Sequence, residues 1–244
     1  FLHGPHEGTV EFVEAVPARC AQLLSQSEVD GALVPVIEYQ RIDGGSLVPD
    51  VCVGSQKEVL SVVLVSKNKR LENIQSVALD ESSRTSATLV KVIFREFLER
   101  EPQWTTRAPN LEEMLEKNDA ALIIGDPGMA FPRQGLNVWD MASLWNEYTG
   151  LGFVFAMWMV RDEAVSRARK IDFAGARDEG VAHIEEIVQS YQDKIPMRVE
   201  ELRNYLTENI VFRVDESMEK GLRLYFELAF KHGLIERVKP LRFI

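Results

Sequence analysis

Short apolar runs alternate with amphipathic segments along the chain, and this order is the feature that most limits its fold. Gly31–Ile37, Ser76–Leu79 and Ala120–Ile124 have the length and the mainly apolar composition of buried strands. Segments with helical periodicity separate these runs, which is typical of an α/β protein. The longest apolar run, Leu151–Val160, is far shorter than the roughly 20 residues of a membrane helix, so the sequence predicts no membrane span.

Helical periodicity dominates the last third of the chain. An earlier helix is already clear between Val90 and Leu98, where the apolar residues recur at helical spacing along one face. From residue 161 onwards the same pattern predicts helices over 161–170, 178–193, 197–208 and 215–232. We therefore expect a helical C-terminal tail that packs over the sheet.

The charge balance argues against a nucleic-acid partner. The chain has 38 acidic and 28 basic residues and a net charge of −10. Proteins that bind phosphate backbones usually present a basic face, whereas the longest basic cluster here is the short run Lys67-Asn68-Lys69-Arg70. An anionic ligand would need a local positive site, because the overall field repels anions.

The few cysteines and histidines suggest no metal or thiol chemistry. Cys20 and Cys52 form no Cys-x-x-Cys pair, which disfavours a zinc site, and two cysteines favour a reducing compartment over a disulfide framework. No triad or metal spacing connects the histidines, which are His3, His6, His183 and His232. We expect neither a metal nor a cofactor.

A polar turn connects the run Ser76–Leu79 to the helix that follows it. Residues 80–86 read Asp-Glu-Ser-Ser-Arg-Thr-Ser. The first N–H groups of a helix are unpaired and carry its positive dipole end, so the hydroxyls and the guanidinium of Ser83–Ser86 could bind a carboxylate or a phosphate. Alternatively, one of the two adjacent serines caps the helix and Arg84 faces water.

Ser61 is the second candidate, because it places a hydroxyl inside the apolar run Val59–Ser66. The hydroxyl either faces a neighbouring strand or lines a cleft. No Gly-x-Ser-x-Gly elbow surrounds it, so a hydrolase nucleophile is not predicted.

Two further segments combine glycine with groups that could contact a ligand. Asp126 follows the run Ala120–Ile124 through Gly125, and its carboxylate could act on a ligand or cap the next turn. The segment Trp145–Ala156 contains two glycines and several aromatic residues. It could wall a ring-shaped ligand or form an aromatic-rich core strand.

Taken in order, several of these segments resemble the chorismate dehydratases of the futalosine route to menaquinone, over nearly the whole chain. The Ser-Arg-Thr-Ser and Thr-Gly-x-x-Phe-Val-Phe-Ala elements are the most specific parts of the resemblance. The matching segments are Pro17–Cys20, Gly31–Tyr39, Val59–Ser66, Leu79–Ser86, Leu122–Asp126 and Trp145–Ala156 with Trp158.

The resemblance implies a fold. That family has the two-lobed α/β fold of type II periplasmic binding proteins, with an interlobe cleft, in a cytoplasmic enzyme. We expect lobe one to comprise residues 1–71 and 152–244, lobe two to comprise residues 72–151, and two chain crossings to form the hinge.

The resemblance also implies a reaction: chorismate loses water and becomes the enolpyruvyl ether of 3-hydroxybenzoate, without a metal or redox cofactor. Ser61 matches the catalytic serine of the family. No general base stands in the matched motifs, so our hypothesis is that the substrate's own enolpyruvyl carboxylate takes the proton. The implied substrate-binding residues are Ser83, Arg84, Thr85, Ser86, Gly54, Asp126, Thr149 and Phe153.

One part of the family pattern is not found in this sequence. The family opens with a strand that ends in a Ser-Tyr-Leu-Asn-like motif, and its asparagine belongs to the active site; we expect this element upstream of Phe1. Two other classes stay open: a solute-binding receptor, or the effector-sensing domain of a transcription regulator, for a small carboxylate.

Overall fold

A computed structural model describes residues 1, 7–192, 194–195 and 197–244 of the chain. Within these residues, eight strands form two separate sheets. The strands are β1 (Gly31–Pro35), β2 (Gly45–Ser55), β3 (Val62–Ser66), β4 (Ser76–Asp80), β5 (Gln103–Arg107), β6 (Ala120–Ile124), β7 (Asn137–Asp140) and β8 (Phe153–Arg161). The predicted α/β class is confirmed.

The smaller sheet has three strands in the order β1-β8-β2. Both neighbours run antiparallel to β8, with Leu33 opposite Trp158 on one side and Leu47 opposite Met159 on the other. The register between β2 and β8 shifts between Leu47 and Cys52, as it does at a β-bulge. The central strand of this sheet therefore begins at residue 153, whereas its two partners lie between residues 31 and 55.

The larger sheet has five strands in the order β5-β4-β6-β3-β7. β4 runs parallel to β5 and β6, and β3 runs antiparallel to β6 and β7. All five residues of β3 are buried, which explains why its sequence is continuously apolar. β3 lies in this sheet, whereas the predicted boundary at residue 71 would place it in the other lobe. The exact lobe division stays a prediction, and this pairing favours a first crossing near residues 56–61.

Helices cover both sheets. They are α1 (Pro17–Ser25), α2 (Glu38–Arg41), α3 (Thr85–Val92), α4 (Leu111–Lys117), α5 (Asp126–Met129), α6 (Met141–Thr149), α7 (Val165–Ala168), α8 (Phe173–Ala182), α9 (Ile184–Tyr191), α10 (Val199–Asn204) and α11 (Glu216–Lys231). A π-helical turn, Tyr205–Asn209, continues α10. Tyr225 and Phe226 of α11 belong to a core that includes buried residues of both sheets, so the predicted helical tail does pack over the sheets.

Several local expectations differ from the structure. The residues Thr9–Glu14 (Thr-Val-Glu-Phe-Val-Glu) have a composition that predicts a strand. They are mostly exposed and belong to neither a strand nor a helix, and no strand of the described part of the chain pairs with them. The Gly-Gly pair in Arg41–Pro49 predicts a loop, but residues 45–49 belong to β2, and Gly45–Leu47 pair with β8. The strands β5 and β7 were not predicted; both have partly exposed residues, so they lack the continuous apolar signature.

Among the described residues, no helix is both long and apolar enough to cross a membrane.

Candidate active site

A cavity of about 1160 Å³ opens between the two sheets. Pro35 and Phe155 line it from the smaller sheet, Val62 and Ile124 line it from the larger sheet, and the turn Ser82–Ser86 enters it at the start of α3. The cavity therefore lies at the end of β4, where the chain passes from a strand into a helix. Open α/β sheets commonly bind their ligands at such a place.

The carboxylate of Asp80 holds the turn in place. Asp80 is almost fully buried. Its Oδ1 accepts hydrogen bonds from the backbone N–H and the hydroxyl of Ser82 at 2.8 and 2.6 Å, and its Oδ2 accepts one from the N–H of Ile124 at 3.3 Å. One buried side chain thus connects the turn to the end of β6 across the sheet.

Ser83 offers the cavity a hydroxyl that has no protein partner. Its Oγ is the one buried side-chain N or O atom of the described residues without a hydrogen bond, and Ser83 lines the cavity. The residue that caps α3 is Arg84, and its side chain makes no cap bond. The alternative of ordinary capping by a serine is therefore not what the structure shows. Buried polar groups are nearly always paired, so the unpaired hydroxyl indicates that a ligand supplies an acceptor oxygen at the positive N-terminal end of α3.

Arg84 is fixed by an acidic residue that the sequence analysis did not single out. Its Nη1 lies 2.7 Å from Oε2 of Glu38, and Arg41 lies 2.8 Å from the other carboxylate oxygen. Glu38 is 3% exposed. Arg84 lines the cavity, so it does not simply face water. Two cations share one carboxylate, which leaves a net positive charge for an anion.

Thr85 and Ser86 have different surroundings, although both line the cavity. The Thr85 hydroxyl accepts a hydrogen bond from the N–H of Ile37 at 3.3 Å, and the Thr85 carbonyl accepts one from the Tyr225 hydroxyl at 2.9 Å. Thr85 therefore connects α3 to the loop after β1 and to α11. Ser86 is buried in the first turn of α3.

Ser61 lies immediately before Val62, at the edge of the cavity wall. It is 5% exposed, and it is not among the described residues that line the cavity. Its carbonyl accepts a hydrogen bond from the N–H of Gly125 at 2.8 Å, and its Oγ accepts one from the hydroxyl of Tyr205 at 3.0 Å. The sequence predicts that this hydroxyl faces either a neighbouring strand or a cleft. In the structure its hydrogen-bond partner is Tyr205, a residue of the C-terminal tail.

The backbone before Ser61 is held in an unusual conformation. Leu60 has a φ of 60°, in the left-handed region that costs a non-glycine residue energy and that is enriched at functional sites. The carboxylate of Asp140 accepts hydrogen bonds from Val59 at 3.1 Å and from Leu60 at 2.7 Å, and it also caps α6 through Ala142. Burial raises the pKa of Asp140, while these N–H groups lower it.

We expect Asp140→Ala to lower the free energy of unfolding by about 2–4 kcal/mol, because it removes a helix cap and leaves buried N–H groups of residues 59–60 unpaired. Urea denaturation measures this loss. The matched control is Asp172→Ala, since Asp172 caps α8 through Gly175 at an exposed site and should cost only about 1 kcal/mol. Equal losses for the two variants would show that the bonds to residues 59–60 contribute nothing.

Two of the predicted binding residues lie in packed parts of the fold away from the cavity lining. Gly54 permits a close approach, since a Cβ atom there would meet Met218 and the carbonyl of Phe153. Phe153 itself is 1% exposed and packs against Trp145 and Tyr225. The aromatic segment thus packs in the core, with its first part in α6 and its last part in β8, although Phe155 reaches the cavity.

The other two predicted binding residues serve helix ends. Asp126 is exposed at the start of α5, and its carbonyl accepts a hydrogen bond from Ala130. The Thr149 hydroxyl donates to the carbonyl of Trp145 at 2.7 Å and accepts from the N–H of Leu151 at 3.2 Å, at the end of α6. Neither residue lines the cavity, and the hydrogen bonds of the Thr149 hydroxyl belong to the turn that ends α6.

Burial raises the pKa of both free cysteines, including Cys20, which lines the cavity. The pKa of Cys52 rises to about 12, which keeps this thiol protonated. No three His, Cys, Asp or Glu side chains of the described residues are grouped to hold a metal ion. His183 is exposed, and His232 pairs with Glu96 near the surface; His3 and His6 lie outside the described residues.

Comparisons with known proteins give a consistent family. The sequence model of a family described as menaquinone biosynthesis matches residues 1–231. A chorismate dehydratase of Thermus thermophilus is 30% identical over 234 residues, which cover 88% of this chain and 85% of that protein. A chorismate dehydratase of Campylobacter jejuni is 26% identical over 226 residues, covering 92% and 86%.

Solved structures support the fold. A protein of Archaeoglobus fulgidus superposes with a TM-score of 0.67 at 17% identity, covering 92% of this chain and 86% of that one. The periplasmic aliphatic sulphonate binding protein of Escherichia coli superposes with a TM-score of 0.60 at 13% identity, covering 95% and 82%. The predicted periplasmic-binding-protein-like fold is confirmed; at these identities the likeness concerns the fold alone.

Proposed function

Because the chain belongs to the menaquinone biosynthesis family, we infer that it is a chorismate dehydratase, as its curated relatives are named. The enzyme eliminates water from chorismate and gives 3-[(1-carboxyvinyl)oxy]benzoate. The proton on C3 and the hydroxyl on C4 leave together as water, and the ring becomes aromatic. The reaction is that of a carbon-oxygen lyase, and we propose that it belongs to the futalosine route.

The observation that carries the binding proposal is the unpartnered Ser83 hydroxyl beside Arg84 at the start of α3. Chorismate carries two carboxylates, and a carboxylate supplies the acceptor oxygens that such a group of donors lacks. We propose that Ser83, Arg84 and Ser86 bind one carboxylate of chorismate. Two arginines pair with the single carboxylate of Glu38, which leaves one unbalanced positive charge. This charge offsets the repulsion between the anionic substrate and the acidic protein.

The proposed mechanism needs little acid or base strength from the protein, because aromatisation drives the elimination. The enzyme has to hold a reactive conformer and keep water away from it. The apolar wall that Pro35, Val62 and Phe155 give the cavity suits a cyclohexadiene ring. We propose that the enolpyruvyl carboxylate takes the C3 proton and passes it to the departing C4 hydroxyl, which leaves as water. The Ser61 hydroxyl, next to this wall, orients the reacting groups.

The test of the function is incubation of the full-length protein with chorismate, followed by mass spectrometry of the products. We expect a time-dependent product that has lost one water and has the absorbance of a substituted benzoate. A parallel sample without protein gives the uncatalysed background. Chorismate that binds but is recovered unchanged would contradict the proposal and favour a solute receptor.

We also propose a cytoplasmic location, since both cysteines are free thiols in the structure and free thiols are typical of reducing compartments. Cell fractionation tests this proposal, and recovery of the protein in the periplasmic fraction would contradict it.

A further inference from the structure

Tyr205 reaches the candidate catalytic serine from the far end of the chain. It opens the π-helical turn Tyr205–Asn209, and its hydroxyl donates a hydrogen bond to Oγ of Ser61 at 3.0 Å. The residues are 144 positions apart in sequence. Nothing in the sequence pattern around Tyr205 connects it with Ser61.

We propose that Tyr205 is the positioning residue of Ser61, an inference that rests on the proposed function. A serine hydroxyl has one hydrogen to donate and two lone pairs. When the phenol occupies a lone pair, the Ser61 hydrogen stays free to donate to an oxygen of chorismate. A hydroxyl that accepts one hydrogen bond also becomes a better donor in the next.

The surroundings of Tyr205 keep its phenol protonated, so that the hydroxyl can donate a hydrogen bond. Burial raises the pKa of this tyrosine; the bond to Ser61 lowers it, and the nearby charge of Asp126 raises it further. The hydroxyl is therefore protonated at neutral pH. The carboxylate of Asp126, which is outside the cavity lining, thus helps to keep the phenol protonated.

The backbone of Ser61 is held independently of Tyr205. The Ser61 N–H donates to the carbonyl of Val59 at 2.7 Å, and its carbonyl accepts from Gly125. Since the main chain is fixed, the side-chain torsion is the remaining freedom of Ser61. The bond to Tyr205 is the contact that selects one orientation of Oγ.

The turn that carries Tyr205 is itself attached to the segment before Ser61. Asn209 donates from its side-chain amide to the carbonyl of Glu58 at 3.2 Å, and Val211 exchanges two backbone hydrogen bonds with Gly54. Single π-helical turns are frequent at functional sites. Here the turn carries the phenol of Tyr205 and the amide of Asn209, and both side chains bind the segment 58–61.

The experiment compares wild type, Tyr205→Phe, Ser61→Ala and the double variant, with chorismate as substrate. We expect Tyr205→Phe to lower kcat by roughly threefold to tenfold, the factor that one hydrogen bond is worth, and to leave KM within about twofold. The double variant should be no slower than Ser61→Ala alone, because Tyr205 acts through Ser61.

Tyr39→Phe is the matched control. Tyr39 is a buried tyrosine whose hydroxyl bonds the backbone of Pro240 and Arg242, away from the cavity lining. It should lose stability without losing kcat. Wild-type kcat in Tyr205→Phe, or losses that multiply in the double variant, would overturn the inference. If the proposed function itself is wrong, the wild-type protein does not convert chorismate at all. That result differs from a failure of the Tyr205 inference, in which wild type is active.

Discussion

Replacing Ser61 with alanine is expected to lower the turnover of chorismate by tenfold or more, which corresponds to at least about 1.4 kcal/mol of transition-state stabilisation. The same change should lower the free energy of unfolding by about 1–3 kcal/mol, because the partly buried Tyr205 hydroxyl loses its acceptor. Steady-state kinetics and urea denaturation measure the two effects.

The double variant separates these effects. Replacement of both hydrogen-bonding partners by apolar groups can be nearly neutral, so Ser61→Ala with Tyr205→Phe should recover much of the lost stability and none of the lost turnover. If Ser61→Ala turns over chorismate at the wild-type rate, Ser61 is a packing residue. The binding turn at Ser83–Ser86 would then have to account for catalysis.

Replacing Arg84 with alanine is expected to weaken chorismate binding by roughly tenfold to a hundredfold, since a charge-assisted hydrogen bond contributes about 1.5–3 kcal/mol. Arg84 lines the cavity, and the substrate is a dianion. Isothermal titration calorimetry with chorismate, at a temperature where turnover is slow, measures the affinity directly.

Arg41→Ala is the matched control for this prediction. Arg41 pairs with the same buried carboxylate, Glu38, but it is not among the described residues that line the cavity. Arg41→Ala removes the surplus positive charge around Glu38 but no cavity contact, so we expect chorismate affinity to fall by about threefold, well short of the loss in Arg84→Ala. If the two variants weaken binding equally, Arg84 acts only by neutralising Glu38, and a direct contact with the substrate is ruled out.

The sequence was informative wherever a signal was local. The apolar runs at β1, β4 and β6 predict those strands, because a strand that is buried in a sheet has several consecutive apolar residues. The polar turn at residues 82–86 was likewise visible. β5 and β7 were missed because partly exposed strands lack a continuous apolar run.

The contacts that position the candidate site could not be predicted from the sequence, because each one joins residues that are far apart in the chain. Glu38 meets Arg84 across 46 positions, and Asp140 meets Leu60 across 80 positions. Neither carboxylate stands in a motif of its own. Asp126 and Thr149, by contrast, stand beside conspicuous glycines, yet their hydrogen bonds belong to helix ends. Residue type and spacing predict local capping better than they predict long-range pairing.

The position of β8 between β1 and β2 determines the order in which the chain can fold during synthesis. The strands of the larger sheet all lie between residues 62 and 140, so that sheet can assemble from one uninterrupted stretch as it leaves the ribosome. β1 and β2 have no hydrogen-bonded contact with each other. They have to wait, unpaired, until residues 153–161 emerge. Such long-range closure is slow, and the growing chain therefore leaves the edges of these two strands unpaired until β8 has been made.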